Sequence, residues 1–252
     1  MSGFAEARAE FLLALQFLTR LPVPDPGYTP ERMAGSTRWH PAAGALIGAL
    51  VGAAYVIAAL AFPPLLALIA ATGFGLLLTG AFHEDGFADA CDGLGGGATR
   101  ERAMEIMRDS RLGTYGTAGL GLMLAAKIAA LAALPFLFWV LIAGHAASRA
   151  SAVAVIAGST YLRDHGTGKP VAEGLDGAGL GLALLTAAAA LLPLAFLLPP
   201  MAVIAGLGGL AAGHWLMRRA FERKLGGYTG DCLGAVQQTS ELGFYAGLVL
   251  WL

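Results

Sequence analysis

The sequence concentrates acidic residues in one short segment. Glu84, Asp85, Asp89 and Asp92 fall within nine positions directly after an apolar run, although charged residues make up only 13% of the chain. In a helix, the three aspartates would occupy positions i, i+4 and i+7 and project from one face within an arc of roughly 60°. Carboxylates that close repel each other unless a cation lies among them. The segment therefore predicts a site for Mg²⁺ or Mn²⁺, which share their coordination with water and substrate phosphates. The alternative is a solvated acidic helix end at a membrane surface.

A second polar segment runs from Arg108 to Gly116. Its two arginines, Arg108 and Arg111, alternate with Asp109 and are followed by Gly113. Guanidinium groups bind phosphate oxygens bidentately, and glycine lets the backbone approach a ligand closely. Beside a carboxylate cluster, this composition is typical of a phosphate clamp.

The third polar segment leads into the last apolar stretch of the chain. Asp231 stands where it either caps a helix or joins the metal site. Gln238 and Glu241 continue on roughly the same side, so a polar stripe enters the membrane. Ionisable residues inside a membrane span are expensive and are functional candidates by default. Lys127, inside an earlier span, is expected to pair with a carboxylate or to extend towards the surface.

The elements that carry these segments are predicted to be membrane helices. The 252 residues are 57% hydrophobic with a mean hydropathy of +0.67, and the apolar residues come in runs of about 20. Such runs span lipid as helices, whereas barrel strands would alternate polar and apolar residues. A net charge of −1 leaves no polybasic character, so we expect no nucleic-acid partner.

The predicted fold is all-α, a polytopic integral membrane helix bundle of about seven transmembrane helices. We expect a single membrane-embedded domain, 1–252, whose residues 1–40 form an arm along the membrane surface. A spacing of four between Gly44, Gly48 and Gly52 predicts close helix packing, within one chain or between copies in a homo-oligomer. The predicted spans are 42–62, 65–82, 117–134, 136–157, 178–198, 201–217 and 233–252.

The distribution of charge predicts the topology. The chain has 16 Lys and Arg and 17 Asp and Glu, and none lies at the proline turns 63–64, 135 and 199–200. Apart from Lys127, Arg149 and Glu241, all fall in the N-terminal arm or in the loops that share its side. Because cytoplasmic loops carry the excess of Lys and Arg, this side and the N-terminus are predicted to be cytoplasmic.

Together these segments resemble the cobalamin (5′-phosphate) synthase family, also called adenosylcobinamide-GDP ribazoletransferase. The resemblance covers nearly the whole chain, including the N-terminal stretch 17–24 and the pair Ser148-Arg149. Its most specific parts are three ordered motifs: His83-x-Asp85-Gly86-x-x-Asp89-x-x-Asp92-Gly93, the stretch from Glu105 to Thr114, and Thr229-Gly230-Asp231-x-Leu233-Gly234-Ala235. Glu84 is not part of this pattern.

The resemblance implies an enzyme of the bacterial cytoplasmic (inner) membrane with its active site at the cytoplasmic face. It implies that adenosylcobinamide-GDP is joined to α-ribazole, or α-ribazole 5′-phosphate, giving adenosylcobalamin or its phosphate and GMP, with Mg²⁺ as cofactor. Splitting a diphosphate independently calls for metal ions and arginines. On this basis we expect metal binding by Asp85, Asp89, Asp92, Asp231 and Glu84, with catalytic roles for these four aspartates and His83. The expected substrate-binding residues are Arg108, Asp109, Arg111, Gly113, Arg149 and Glu241.

Two other functions fit parts of the pattern. A CDP-alcohol phosphotransferase-like enzyme also places aspartates on membrane helices around metals, but its signature expects Ala-Arg soon after Asp-Gly, where this chain has Phe87-Ala88-Asp89. A divalent-cation transporter should carry ligands near mid-membrane in several spans, whereas these acidic residues cluster at one surface.

Overall fold

The computed structural model describes residues 3–163, 169–172 and 174–252, so part of the predicted polar loop 158–177 lies outside it. Within these ranges the chain is helical and contains no β-strand, only an isolated bridge between Tyr161 and Tyr228. The predicted all-α class is confirmed. The α-helices are α1 (Gly3–Leu18), α2 (Pro30–Ser36), α3 (His40–Ala59), α4 (Pro64–Thr79), α5 (Phe82–Gly96), α6 (Arg100–Ile106), α7 (Thr114–Ala132), α8 (Leu137–Gly158), α9 (Lys169–Ala172), α10 (Gly177–Leu197), α11 (Pro200–Leu225) and α12 (Gly230–Trp251).

Several of these helices can cross a membrane, which confirms the multi-pass class. Among the residues described, five helical stretches are long and apolar enough, or six if α4 and α5 form one broken span. The five are Pro30–Ala59, which ends in α3, and α7, α8, α10 and α11. The sequence predicted about seven. The difference arises because α4 has only 16 residues and α12 carries polar residues along its buried side.

The acidic segment does not continue the helix before it. Helix α4 ends at Gly80, with φ of 66°, and Ala81 also has a positive φ of 55°, so α5 leaves at an angle of 90° to α4. The predicted span 65–82 therefore ends earlier than expected, at Thr79, and the acidic segment lies on a separate helix. The left-handed pair turns the chain and gives the carboxylates a helix of their own.

The glycines spaced by four in α3 pack within the chain. A Cβ atom at Gly44, Gly48 or Gly52 would collide with α8, at the backbone of His145, the backbone of Leu141 and the ring of Phe138 respectively. These glycines let the two helix backbones approach closely. Their spacing is thus explained by an intrachain contact.

The N-terminal arm is anchored to the bundle. Leu15 and Leu18 of α1 are buried in the same hydrophobic cluster as Ile47 of α3. The buried Glu10 carboxylate accepts a hydrogen bond from Trp39 Nε1 at 3.0 Å and forms an ion pair with Arg38. Arm residues thereby reach the site described below.

Candidate active site

Helix α5 carries the predicted acidic cluster, and the aspartates of the cluster differ in how exposed they are. Asp85 is exposed, Asp89 is half-buried and Asp92 is buried, and all three lie on the same helix, as the sequence predicted. His83 is also buried, with 5% of its surface exposed. Gly86 packs against the backbone of Asp231, so α5 and α12 touch where both carry carboxylates.

A cavity of about 190 Å³ lies at this contact. It brings together three residues that the sequence singled out, His83 and Asp85 from α5 and Asp231 from α12. Five further parts of the chain also contribute to its wall: Phe17 and Leu18, His40, Ala152 and Ile156, Tyr161 and Arg163, and Val171. Burial raises the pKa of Tyr161, so its hydroxyl remains protonated and able to donate a hydrogen bond.

Asp89 is a half-buried carboxylate of α5. It is within electrostatic range of Asp85, Asp92 and Asp231, and Arg163 acts on it as the opposing charge. A cluster with this excess of negative charge has the donor chemistry that suits a hard divalent cation. No group of three or more His, Cys, Asp or Glu side chains in the described ranges is close enough to form a complete metal site. Metal binding by these residues stays a prediction.

Asp92 has a structural partner in the loop that follows. Its two carboxylate oxygens accept hydrogen bonds from the backbone N–H groups of Gly113 and Gly116, at 2.7 and 2.8 Å. Gly113 is the N-cap of α7 and Gly116 lies in its first turn, where the backbone amide groups attract a negative charge. A Cβ on either would collide with the Asp92 carboxylate. Asp92 therefore connects α5 to the predicted phosphate clamp.

The predicted clamp is a solvent-exposed loop between α6 and α7. Arg111 pairs with Asp109, with Nε 2.9 Å from Oδ1, and this hydrogen bond lowers the pKa of Asp109 to about 2. Arg108 is exposed. Thr99 caps helix α6, which precedes this loop, and its side chain accepts a hydrogen bond from the backbone N–H of Arg102. The loop touches Asp92 through Gly113, and its role in binding phosphate stays a prediction.

Asp231 is paired and does not cap its helix. The N-cap of α12 is Thr229, which rules out the capping alternative for Asp231. The Oδ2 atom of Asp231 lies 2.5 Å from Arg163 Nη2 and accepts a further hydrogen bond from Thr229 Oγ1 at 3.2 Å. This geometry leaves the Asp231 carboxylate at the cavity wall, beside the residues of α5.

The remaining predicted residues belong to a separate buried network. Glu241 forms an ion pair with Lys127, with Nζ 2.6 Å from Oε1, which confirms that Lys127 pairs with a carboxylate. Arg149 Nη1 donates to the backbone oxygen of His145 at 3.0 Å. Glu84 accepts from Gln238 Nε2 at 2.8 Å.

This network surrounds a second cavity of about 40 Å³, and it is lined by Glu84, Arg149 and Glu241 but by none of the site aspartates. The two cavities share His83. Glu84 thus points away from the carboxylates with which the sequence grouped it. Arg149 and Glu241 likewise lie in this second cavity, behind His83.

Sequence reasoning missed three residues of the larger cavity: His40, Tyr161 and Arg163. His40 Nε2 and Arg163 Nε are buried and have no hydrogen-bond partner among the residues described. Neither His40 nor Arg163 belongs to one of the sequence motifs described above. A basic residue in a loop on the same side as the acidic segment was the only available signal for Arg163.

The fold and the site define a multi-pass helical membrane protein with a carboxylate-lined cavity where two helix ends meet. Comparison with known families is consistent with this class. The family model described as cobalamin-5-phosphate synthase matches residues 10–249. The chain belongs to this family, which confirms the resemblance inferred from its motifs.

Relatives at about 40% identity extend over nearly the whole chain. One from Leptothrix cholodnii is 44% identical, covering 98% of this chain and 96% of its own. Another from Vibrio parahaemolyticus is 41% identical, covering 95% and 91%. A third from Ralstonia pickettii is 39% identical, covering 100% and 99%. All three are named adenosylcobinamide-GDP ribazoletransferase. No solved structure matches the chain.

Proposed function

We propose that this protein is an adenosylcobinamide-GDP ribazoletransferase. It joins adenosylcobinamide-GDP to α-ribazole, or to α-ribazole 5′-phosphate, and releases GMP. A ribose hydroxyl oxygen of the acceptor forms a bond to the phosphorus that stays with cobinamide. The bond from that phosphorus to the GMP oxygen breaks, and the hydroxyl proton passes to a base.

The observation that carries this proposal is the cavity between α5 and α12. Family membership over residues 10–249 supplies the reaction class, and the cavity supplies a location where Asp85, Asp231, His83 and Arg163 converge. A phosphoryl transfer needs little covalent chemistry from the protein, so positioning and charge are what the site must provide.

Within this proposal each side chain has a distinct task. Asp85, Asp89 and Asp231 would hold Mg²⁺, which when bound offsets negative charge on the diphosphate. Asp92 would support them from α5, where its carboxylate holds the N-terminus of α7 through Gly113 and Gly116. Two residues are candidates for the base that takes the hydroxyl proton. One is Asp231, in place of its metal role, and the other is the buried His83, which lines the same cavity.

The arginines and the buried network complete the assignment. Arg108 and Arg111, with Asp109 and Gly113, would close over the phosphates from the exposed loop. Arg149 and Glu241 would act from the second cavity, with Glu84, by holding His83 and α5 in place. Their burial supports this placement, since Arg149 and Glu241 are only 2% and 1% exposed.

The proposal includes a location and an assembly. The protein would lie in the bacterial cytoplasmic membrane with its N-terminus and catalytic cavity on the cytoplasmic side, which the one-sided distribution of charge supports. A homo-oligomer would have to use surfaces other than the glycine face of α3, because that face packs against α8.

The test is GMP release by the purified protein in detergent. The protein is given adenosylcobinamide-GDP with α-ribazole, or with its 5′-phosphate, in Mg²⁺ or in a chelator. We expect GMP release that requires both an acceptor and the metal. The ratio of the rates with the two acceptors would identify the preferred one.

Two results would contradict the proposal. Acceptor-dependent GMP release at the same rate in chelator would remove Mg²⁺ and the carboxylate site from it. No GMP release with either acceptor would direct attention to a CDP-alcohol phosphotransferase activity or to divalent-cation transport. Neither of those functions is favoured by the structure, where the membrane-buried Lys127 and Glu241 neutralise each other.

A further inference from the structure

Among the described residues that line the larger cavity, Arg163 is the arginine, beside the histidines His40 and His83. Its side chain is 23% exposed, and its Nη2 atom lies 2.5 Å from Asp231 Oδ2 and 3.5 Å from the backbone oxygen of Met107. Its Nε atom is buried and has no hydrogen-bond partner among the residues described. A guanidinium group has five N–H donors, so Asp231 and Met107 leave most of its capacity unused.

The backbone holds Arg163 in this position. The segment before it is bonded to the segment before α12 on both sides of Tyr228: Leu162 N–H donates to Tyr228 O, and Tyr228 N–H donates to Thr160 O, both at 2.9 Å. The rings of Tyr161 and Tyr228 pack edge to face with centroids 5.4 Å apart. These backbone hydrogen bonds and this ring contact hold the segment that precedes Arg163 next to the segment that precedes Asp231.

The charges around Arg163 are unbalanced. Asp85, Asp89 and Asp231 lie at or beside the cavity, and Arg163 is the cation that opposes Asp89 and Asp231 electrostatically. A divalent cation that bound these carboxylates would compete with Arg163 for Asp231. The released guanidinium would then face the cavity with a positive charge and free donors.

We propose that Arg163 binds a phosphate group of the diphosphate substrate and gives up Asp231 to do so. This inference rests on the proposed function and adds to it a phosphate-binding residue outside the predicted clamp. Planar guanidinium donors match phosphate oxygens bidentately, and the buried Nε has no hydrogen-bond partner among the residues described. The other interpretation is a purely structural ion pair that fastens the loop to α12.

Binding of GDP separates the two interpretations. Affinity is measured by titration calorimetry in detergent with a chelator present, so that no metal takes part. We expect Arg163→Gln to weaken GDP binding by about 10- to 100-fold, the range for loss of a charge-assisted hydrogen bond. Arg163→Lys should recover part of the loss, because it keeps the charge without the fork.

Two further variants provide the controls. Arg102→Gln removes an arginine that pairs with Glu105 on the surface and is 58% exposed, and it should leave GDP affinity within twofold. Asp231→Asn frees Arg163 from its partner, and it should bind GDP at least as tightly as the unchanged protein. If the ion pair is purely structural, Arg163→Gln and Asp231→Asn should change GDP affinity in the same way, because each breaks the same contact.

Each outcome decides the inference. GDP affinity within twofold in a correctly folded Arg163→Gln variant would overturn it. If that variant aggregates during size-exclusion chromatography, weakened binding in Asp231→Asn would overturn it, and equal or tighter binding would support it. Absence of GDP binding by the unchanged protein both in chelator and with Mg²⁺ would overturn both the inference and the proposed function, whereas binding that is indifferent to Arg163 overturns the inference alone.

Discussion

The ion pair between Lys127 and Glu241 offers the sharpest test of the buried network. We consider Lys127→Met, Glu241→Gln and the double variant. Lys127→Met removes the cation from a carboxylate that is 1% exposed and 2.6 Å away. Glu241 would keep hydrogen bonds from Gln237 at 2.6 Å and from Ser148 and Tyr245 at 3.3 Å each. The remaining cation within electrostatic range among the residues described would be Arg149, and the His145 ring lies 3.6 Å away.

The expected size of the effect follows from this burial. Removing one partner of a buried ion pair typically costs about 3–5 kcal/mol, because the remaining charge loses its direct partner. For a chain of this size, that loss corresponds to a decrease in Tm of about 6–20 °C. The double variant replaces both charges with neutral side chains of similar shape. It should therefore be more stable than the two single changes predict in sum.

The assay is thermal unfolding of the purified variants in detergent, followed by tryptophan fluorescence. A positive coupling of about 1 kcal/mol or more between the two sites would support the network. A decrease in Tm below 2 °C for Lys127→Met, or strict additivity in the double variant, would refute the reasoning. It would mean that lipid or water already compensates Glu241.

Three further changes test the site and its supports. Asp89→Asn should abolish GMP release while expression and membrane insertion are retained, and preserved activity would remove Asp89 from the metal site. Asp92→Asn should lower the free energy of unfolding by about 1 kcal/mol through the weakened start of α7, measured as Tm in detergent; an unchanged Tm would show that the amide caps equally well. Gly48→Ala should destabilise the α3–α8 contact by about 1–3 kcal/mol, because its Cβ would meet the backbone of Leu141. The matched control, Gly121→Ala, has no atom within 4 Å of its Cβ and should leave Tm unchanged or raised.

Sequence reasoning succeeded where the signal is local. Apolar runs predict helices because lipid leaves the backbone no other partner, and the spacing of Asp85, Asp89 and Asp92 placed them correctly on one helix. It failed at Gly80 and Ala81, where a run of apolar residues conceals a turn of 90°. Hydropathy depends only on which residues are present, so it cannot reveal the positive φ of Ala81 that turns the chain.

The candidate site was predictable only in part for the same reason. His83, Asp85 and Asp231 stood in recognisable motifs, and the structure places all three at one cavity. Glu84 adjoins Asp85 in sequence, yet it faces the other cavity, since neighbouring helix positions point in different directions. Arg163 and His40 reach the site from distant segments.

The amino-acid sequence by itself determined the helical membrane class and the family, and it supplied the motif residues proposed for the site, because these depend on composition, periodicity and short motifs. Tertiary structure decided which of those side chains meet. Lys127 donates a hydrogen bond to Gln238, which lies 111 residues away in the sequence, and Arg163 pairs with Asp231, which lies 68 residues away. Such pairs depend on how closely helices approach and how they are rotated, which is set by the packing of the whole bundle.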